Sequence, residues 1–245
     1  MNASPALKAF AVAYGLVSHA TFVLAVGSMA FGLATGLQHG LGSLHGGLAV
    51  AANAALALQF PLLHSWLLST HGRSVLRRIA PWGGGRLATT TYAWIGSLQL
   101  LAAFWLWSPT GTVWRDPSGV SLLAHAIAFA CAWVFLVKAL SDAGLALQTG
   151  AVGWTAVVQS REVRYGGLPE RGLFQVCRQP IYLGFALVLW TAPCWTPDWF
   201  ALCAVWTLYC VLGPRLKERR WLRIYGDRFE RYRRAVPYMI PRRAP

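Results

Sequence analysis

Cys177-Arg178-Gln179-Pro180-Ile181-Tyr182-Leu183-Gly184 opens an apolar excursion that closes at Leu216-Lys217-Glu218-Arg219-Arg220. Two short apolar runs, 181–193 and 199–212, lie between them, joined by Thr191-Ala192-Pro193-Cys194-Trp195-Thr196-Pro197-Asp198. The paired prolines punctuate the backbone, so the excursion reads as a helical hairpin. Each run is shorter than the ~20 residues that cross a bilayer. The hairpin is therefore expected to be little tilted, to sit in thinned membrane, or to stop short of the far side. Folding back in this way brings Arg178, Tyr182 and Glu218 to one membrane face. That is a mouth suited to a charged ligand whose chemistry takes place among apolar helices.

The rest of the chain supports a membrane setting. Of 245 residues, 56% are hydrophobic and 12% are charged, against about 25% charged in soluble domains. Residues 9–36, 48–69, 88–107 and 120–147 are predicted spans. The loop 70–87 carries Arg73, Arg77, Arg78 and Arg86; the loop 148–178 carries Arg161, Arg164, Arg171 and Arg178. The intervening loops at 37–47 and 108–119 carry only Arg115. Basic residues concentrate on the cytoplasmic side, so both termini are expected in the cytoplasm of an inner membrane. The hairpin then counts as two passes. The predicted fold is an all-α polytopic bundle of about six passes, with 1–147 as a four-span part and 148–245 as the hairpin and basic tail.

The net charge of +14 would point to nucleic acid in a soluble chain. Here half of the 22 Lys and Arg follow Gly213. The tail reads as lying on anionic lipid headgroups, with no nucleic-acid partner. Within it Trp221, Leu222, Tyr225, Phe229 and Tyr232 recur at helical steps with Arg between. This predicts an amphipathic interfacial helix over Leu216 to Val236, ended by Pro237 and Pro241. Cys131, Cys177, Cys194, Cys203 and Cys210 follow no disulfide or metal spacing and read as small buried hydrophobes.

Taken singly, Arg178 reads as an interfacial anchor, Tyr182 as a belt aromatic and Glu218 as an ion-pair partner. Together they supply what a nucleoside amino acid needs: a carboxylate for ribose hydroxyls and an arginine for a carboxylate. The run 177–184, then Lys217-Glu218, Tyr225-Gly226, Phe229, Tyr232, Val236-Pro237 and Ile240-Pro241, resembles the C-terminal signature of the isoprenylcysteine carboxyl methyltransferase-like membrane enzymes. Their pattern is Arg-His-Pro-x-Tyr-x-Gly, paired glutamates, Phe-Gly-x-x-Tyr and a Val-Pro…Ile-Pro ending. Leu58-Gln59, His64-Ser65, Arg73, Thr91-Tyr92, Ser97-Leu98, Trp105 to Pro109 and Val113-Trp114 are similar to the branch holding methanethiol S-methyltransferases and NnrU-like proteins. Two positions depart from the pattern. Gln179 stands where the family has His, and Lys217 stands where it has the first glutamate. Gln keeps hydrogen-bonding capacity but cannot take a proton near neutral pH.

The resemblance implies S-adenosyl-L-methionine as methyl donor and a small or lipophilic thiol, or a carboxylate, as acceptor. It places Arg178, Gln179, Pro180, Tyr182, Glu218 and Tyr225 at the cofactor mouth, with Tyr225 and Tyr232 able to close it. His64 and Arg178 are the catalytic candidates, His64 as a base that takes a thiol proton; a histidine hydrogen-bonded within the bundle is the competing reading. His19 and His125 lie inside other spans, where a haem is conceivable without a depth-matched pair. His39 and His45 sit in a Gly-rich turn. No metal site is expected. Two other classes stay open: an NADPH-dependent membrane reductase, although no Gly-rich dinucleotide fingerprint is present, and a non-catalytic haem or assembly protein.

Overall fold

The structure is a computed structural model that describes residues 3–82 and 85–240. Gly83 and Gly84 of the glycine break, and Pro241 with the basic residues after it, lie outside the described residues. The regular elements of the described residues are all helices, and Arg115 and Trp195 form an isolated antiparallel bridge. It is an all-α membrane helical bundle. Four helices are long and apolar enough to cross a membrane: α1 (Pro5–Ala34), α2 (Gly46–Leu67), α5 (Gly119–Asp142) and α9 (Pro197–Tyr225).

The chain groups into two compact units, interleaved in sequence. One contains the chain up to Gly32, Leu37–Gly111 and Leu145–Tyr165. In it α2 and α4 (Ala88–Trp105) pack together through paired amides. The Gln99 amide donates to Gln59 Oε1 at 2.8 Å, and the Gln59 amide donates to Gln99 O at 2.9 Å. Asn53 closes a second reciprocal pair with the backbone of Ser108. Such interhelical hydrogen bonds help keep polar groups viable at membrane depth. Two helices here lie where the sequence reading placed loops. α3 (Thr70–Ile79) is capped by Ser69, whose hydroxyl accepts from Gly72 N at 3.0 Å, and it buries Leu76 while its arginines face out. α7 (Ala151–Val158) follows the four-residue helix α6 (Leu145–Gln148) and Gly150, whose φ of 76° suits glycine. It packs on α4, Thr90 donating to Gly150 O at 2.7 Å.

The other unit contains residues 33–36, 112–144 and the chain from Gly166 onward. Its frame is α5, α8 (Pro180–Trp190) and α9, with α8 packed on both neighbours. Eleven residues give α8 a length of about 16 Å at 1.5 Å per residue, roughly half the ~30 Å hydrocarbon thickness. Gly184 lets it approach Leu136 of α5 closely. The hairpin turn is fixed by Thr196, which caps α9 by accepting from Trp199 N and donates to Gly36 O at 2.6 Å.

The second arm of the hairpin differs from the expectation. It does not end near residue 212 with a separate tail helix beginning at Leu216. α9 runs unbroken through Pro214 to Tyr225. A proline inside a membrane helix loses one ladder bond, and neighbours compensate. The true break is at Gly226, with φ 50° and ψ −126°, after which α10 (Asp227–Ala235) turns away. The amphipathic tail is thus the end of α9 plus α10, joined by a hinge that only glycine takes up readily.

Candidate functional site

Arg178 sits where the chain enters α8, and three elements converge on it. Its backbone N–H donates to Pro237 O at 2.9 Å. Its Nε donates to Glu218 Oε1 at 2.9 Å, and Nη2 approaches Oε2 at 3.4 Å. Its Nη1 donates to Arg233 O and Val236 O, the open carbonyls at the end of α10. The guanidinium also lies 5.6 Å from the centre of the Tyr238 ring. Arg178 is 8% exposed, so this is a partly buried, charge-assisted network.

Gln179 completes it. Its Nε2 donates to Glu218 Oε1 at 2.7 Å. Because a carboxylate only accepts, the amide orientation is fixed. The other end, Oε1, is buried and has no partner among the described residues, while Gln179 as a whole is 0% exposed. A buried acceptor without a donor costs about 1–3 kcal/mol, and a ligand N–H or O–H is the natural complement. Pro180 is buried at the first turn of α8, where its missing N–H costs nothing.

Around this core, Tyr182 meets Tyr209 edge-on at 6.0 Å. Lys217 Nζ lies 5.1 Å from the Tyr182 ring centre and 4.5 Å from that of Trp221. Tyr225 packs on the cluster of Leu168, Phe229 and Tyr232. Tyr232 donates to Phe174 O at 2.7 Å, and burial pushes its phenol well above the usual range, which keeps it a neutral donor. Burial likewise raises the Cys177 thiol. Glu218 also borders an open concavity of about 260 Å³ with Arg215, Arg219, Leu222, Phe229 and Arg233.

The structure therefore brings Arg178, Gln179 and Glu218 into direct contact, with Pro180 at the start of α8, Tyr182 against Lys217 and Tyr209, and Tyr225 on the aromatic patch of Phe229 and Tyr232. His64 belongs to the other unit. Its ring stacks on Phe60 at 4.8 Å and lies 4.6 Å from Tyr92, whose hydroxyl donates to His64 O at 3.3 Å. His19 and His125 each bond a carbonyl one turn back in their own helix. His39 rests on Phe31, and His45 precedes α2. Two features were not read from sequence: the Lys217 cage, half legible in the four-residue step to Trp221, and the main-chain acceptors of Arg178, which leave no trace in residue identity.

The chain is 29% identical over 191 residues to a protein from Crocosphaera subtropica named methanethiol S-methyltransferase, covering 74% of this chain and 71% of that protein. It is 31% identical over 155 residues to methanethiol S-methyltransferase 1 of Bradyrhizobium diazoefficiens, covering 62% and 54%. Nurim of Xenopus laevis is 31% identical over 127 residues, 49% of this chain and 45% of that protein. No family profile matches the chain, and no solved structure matches it.

Proposed function

We propose that this chain, a homologue of the methanethiol S-methyltransferases consistent with the isoprenylcysteine carboxyl methyltransferase-like family, is an integral membrane methyltransferase that transfers the methyl group of S-adenosyl-L-methionine to a small or lipophilic thiol. The observation that carries the reading is the Arg178–Glu218–Gln179 network with its orphaned acceptor at Gln179 Oε1.

The residues present fit the donor molecule. Its amino and hydroxyl groups match the carbonyl of Gln179 and the carboxylate of Glu218, and its carboxylate matches the arginines of the adjoining concavity. When bound, it would supply an activated methyl group on a cationic sulfur. The protein's part is positioning and exclusion of water, because displacement at carbon needs little acid–base help once the acceptor is an anion. Arg178 holds Glu218 and the end of α10 in register, so donor binding depends on it through Glu218. The reading places the protein in an inner membrane with both termini cytoplasmic, α4 crossing as well, the hairpin of α8 and α9 counted as two passes in thinned membrane, and the basic tail on anionic headgroups.

The test is headspace chromatography on purified protein supplied with S-adenosyl-L-methionine and methanethiol. Dimethyl sulfide above the protein-free rate supports the reading. Its absence, together with oxidation of NADPH by the same preparation, favours a reductase instead.

A further inference from the structure

Lys217 stands out in the cluster because, among the described residues, its amine lies against two aromatic rings and has no carboxylate in ion-pair contact. Its neighbour Glu218 faces Arg178 and Gln179. Among the described residues Lys217 forms no ion pair, and the contacts of its ammonium are the rings of Tyr182 and Trp221, at 5.1 and 4.5 Å. Two π faces hold a cation, but they accept none of its three N–H donors in the manner of an oxygen. The other charged or titratable groups that act on it are Glu218, Arg220 and Cys177. Cys177 is a buried thiol pushed toward its neutral form, so it does not answer the charge. The side chain is half-buried beside the start of α8. An ammonium fixed there with free donors recognises a small anion.

We propose that Lys217 is the acceptor-binding residue: its caged ammonium receives the thiol as a thiolate and lowers the pH at which that thiolate forms. This rests on the thiol methyltransferase reading. The thiol S–H bond breaks first, its proton passing to water. The sulfur lone pair then forms the new S–C bond, and the departing C–S bond leaves its electron pair on the donor sulfur, which becomes a neutral thioether. The thiolate's negative charge and the sulfonium's positive charge cancel. A cation beside a thiol favours its ionised form.

The test compares wild type with Lys217→Met and Lys217→Arg in detergent. Two measurements are made: the pH profile of kcat/KM for methanethiol, and the calorimetric affinity for S-adenosylhomocysteine. Lys217→Met is expected to lose about tenfold in kcat/KM at neutral pH and to move its rising limb up by about one pH unit, recovering in alkali. Its affinity for S-adenosylhomocysteine stays at the wild-type value. Lys217→Arg, which keeps a charge that stacks on aromatic faces, stays near wild type and shows that the site tolerates substitution. An unmoved profile in Lys217→Met overturns the proposal. So does a matching loss of S-adenosylhomocysteine affinity, which would assign the ammonium to the donor's carboxylate. Wild type that neither methylates thiols nor binds S-adenosylhomocysteine would overturn the parent reading as well, an outcome distinct from a failure of Lys217 alone.

Discussion

Arg178 and Glu218 are 40 residues apart in sequence and meet as an ion pair, Nε to Oε1 at 2.9 Å, with both side chains largely shielded. The pair joins the start of the short helix α8 to the far part of α9, and through Arg178 it also holds the end of α10. One guanidinium thereby ties together the parts of the chain that bear the signature.

Removing that guanidinium leaves Glu218 with the Gln179 amide and the α10 carbonyls without their donor. Breaking a shielded pair in this way costs about 3–5 kcal/mol. Arg178→Ala is expected to melt several degrees lower in detergent and to lose binding of S-adenosylhomocysteine. Arg178→Lys, which supplies charge but not the fork, should fall between. Scanning fluorimetry with and without that ligand reads both effects.

Gln179 separates ligand recognition from stability. Gln179→Met removes the orphaned acceptor and one donor to Glu218, which still keeps Arg178. Stability should change little, by about 1 kcal/mol or less, while affinity for S-adenosylhomocysteine falls about tenfold, the equivalent of roughly 1.4 kcal/mol. Gln179→His, the residue of the family pattern, should bind at least as well as wild type. Equal affinity in all three proteins would remove Gln179 from the site.

The hinge at Gly226 is the third point of attack. Its φ of 50° and ψ of −126° impose about 1–3 kcal/mol of strain on a residue with a Cβ. Gly226→Ala should loosen the packing of Phe229 and Tyr232 on Leu168 and speed proteolysis beyond α9. Identical digestion of the two proteins would show that α10 does not depend on this angle.

Cys177 gives a chemical readout of the closed mouth. Its thiol is 1% exposed and burial raises its pKa, so the neutral form is favoured and little thiolate exists near neutral pH. It should resist maleimide at pH 7 in wild type and react in Arg178→Ala. Fast labelling of Cys177 in wild type would mean that the site is open.

Most of the cluster was legible because its residues keep order around a proline: Arg178 and Gln179 precede Pro180, and Glu218 follows a long apolar run. The hairpin was legible from Pro193 and Pro197. The course of α9 was not, because Gly213-Pro214 followed by Arg215 resembles a stop signal, and only packing decides whether a helix passes through proline. α3 was hidden by its arginines, which cover the outer face of a helix whose buried side holds Leu76. α7 was hidden by its length, eight residues within a polar stretch. The carbonyls that receive Arg178 belong to the backbone, so no side chain announces them.

The most direct measurement is calorimetric titration of S-adenosylhomocysteine into purified wild type and Glu218→Gln. The Arg178–Gln179–Glu218 assignment predicts saturable binding to wild type and a loss of about tenfold or more when the carboxylate becomes an amide. No binding to wild type, or equal affinity in the two proteins, would contradict it.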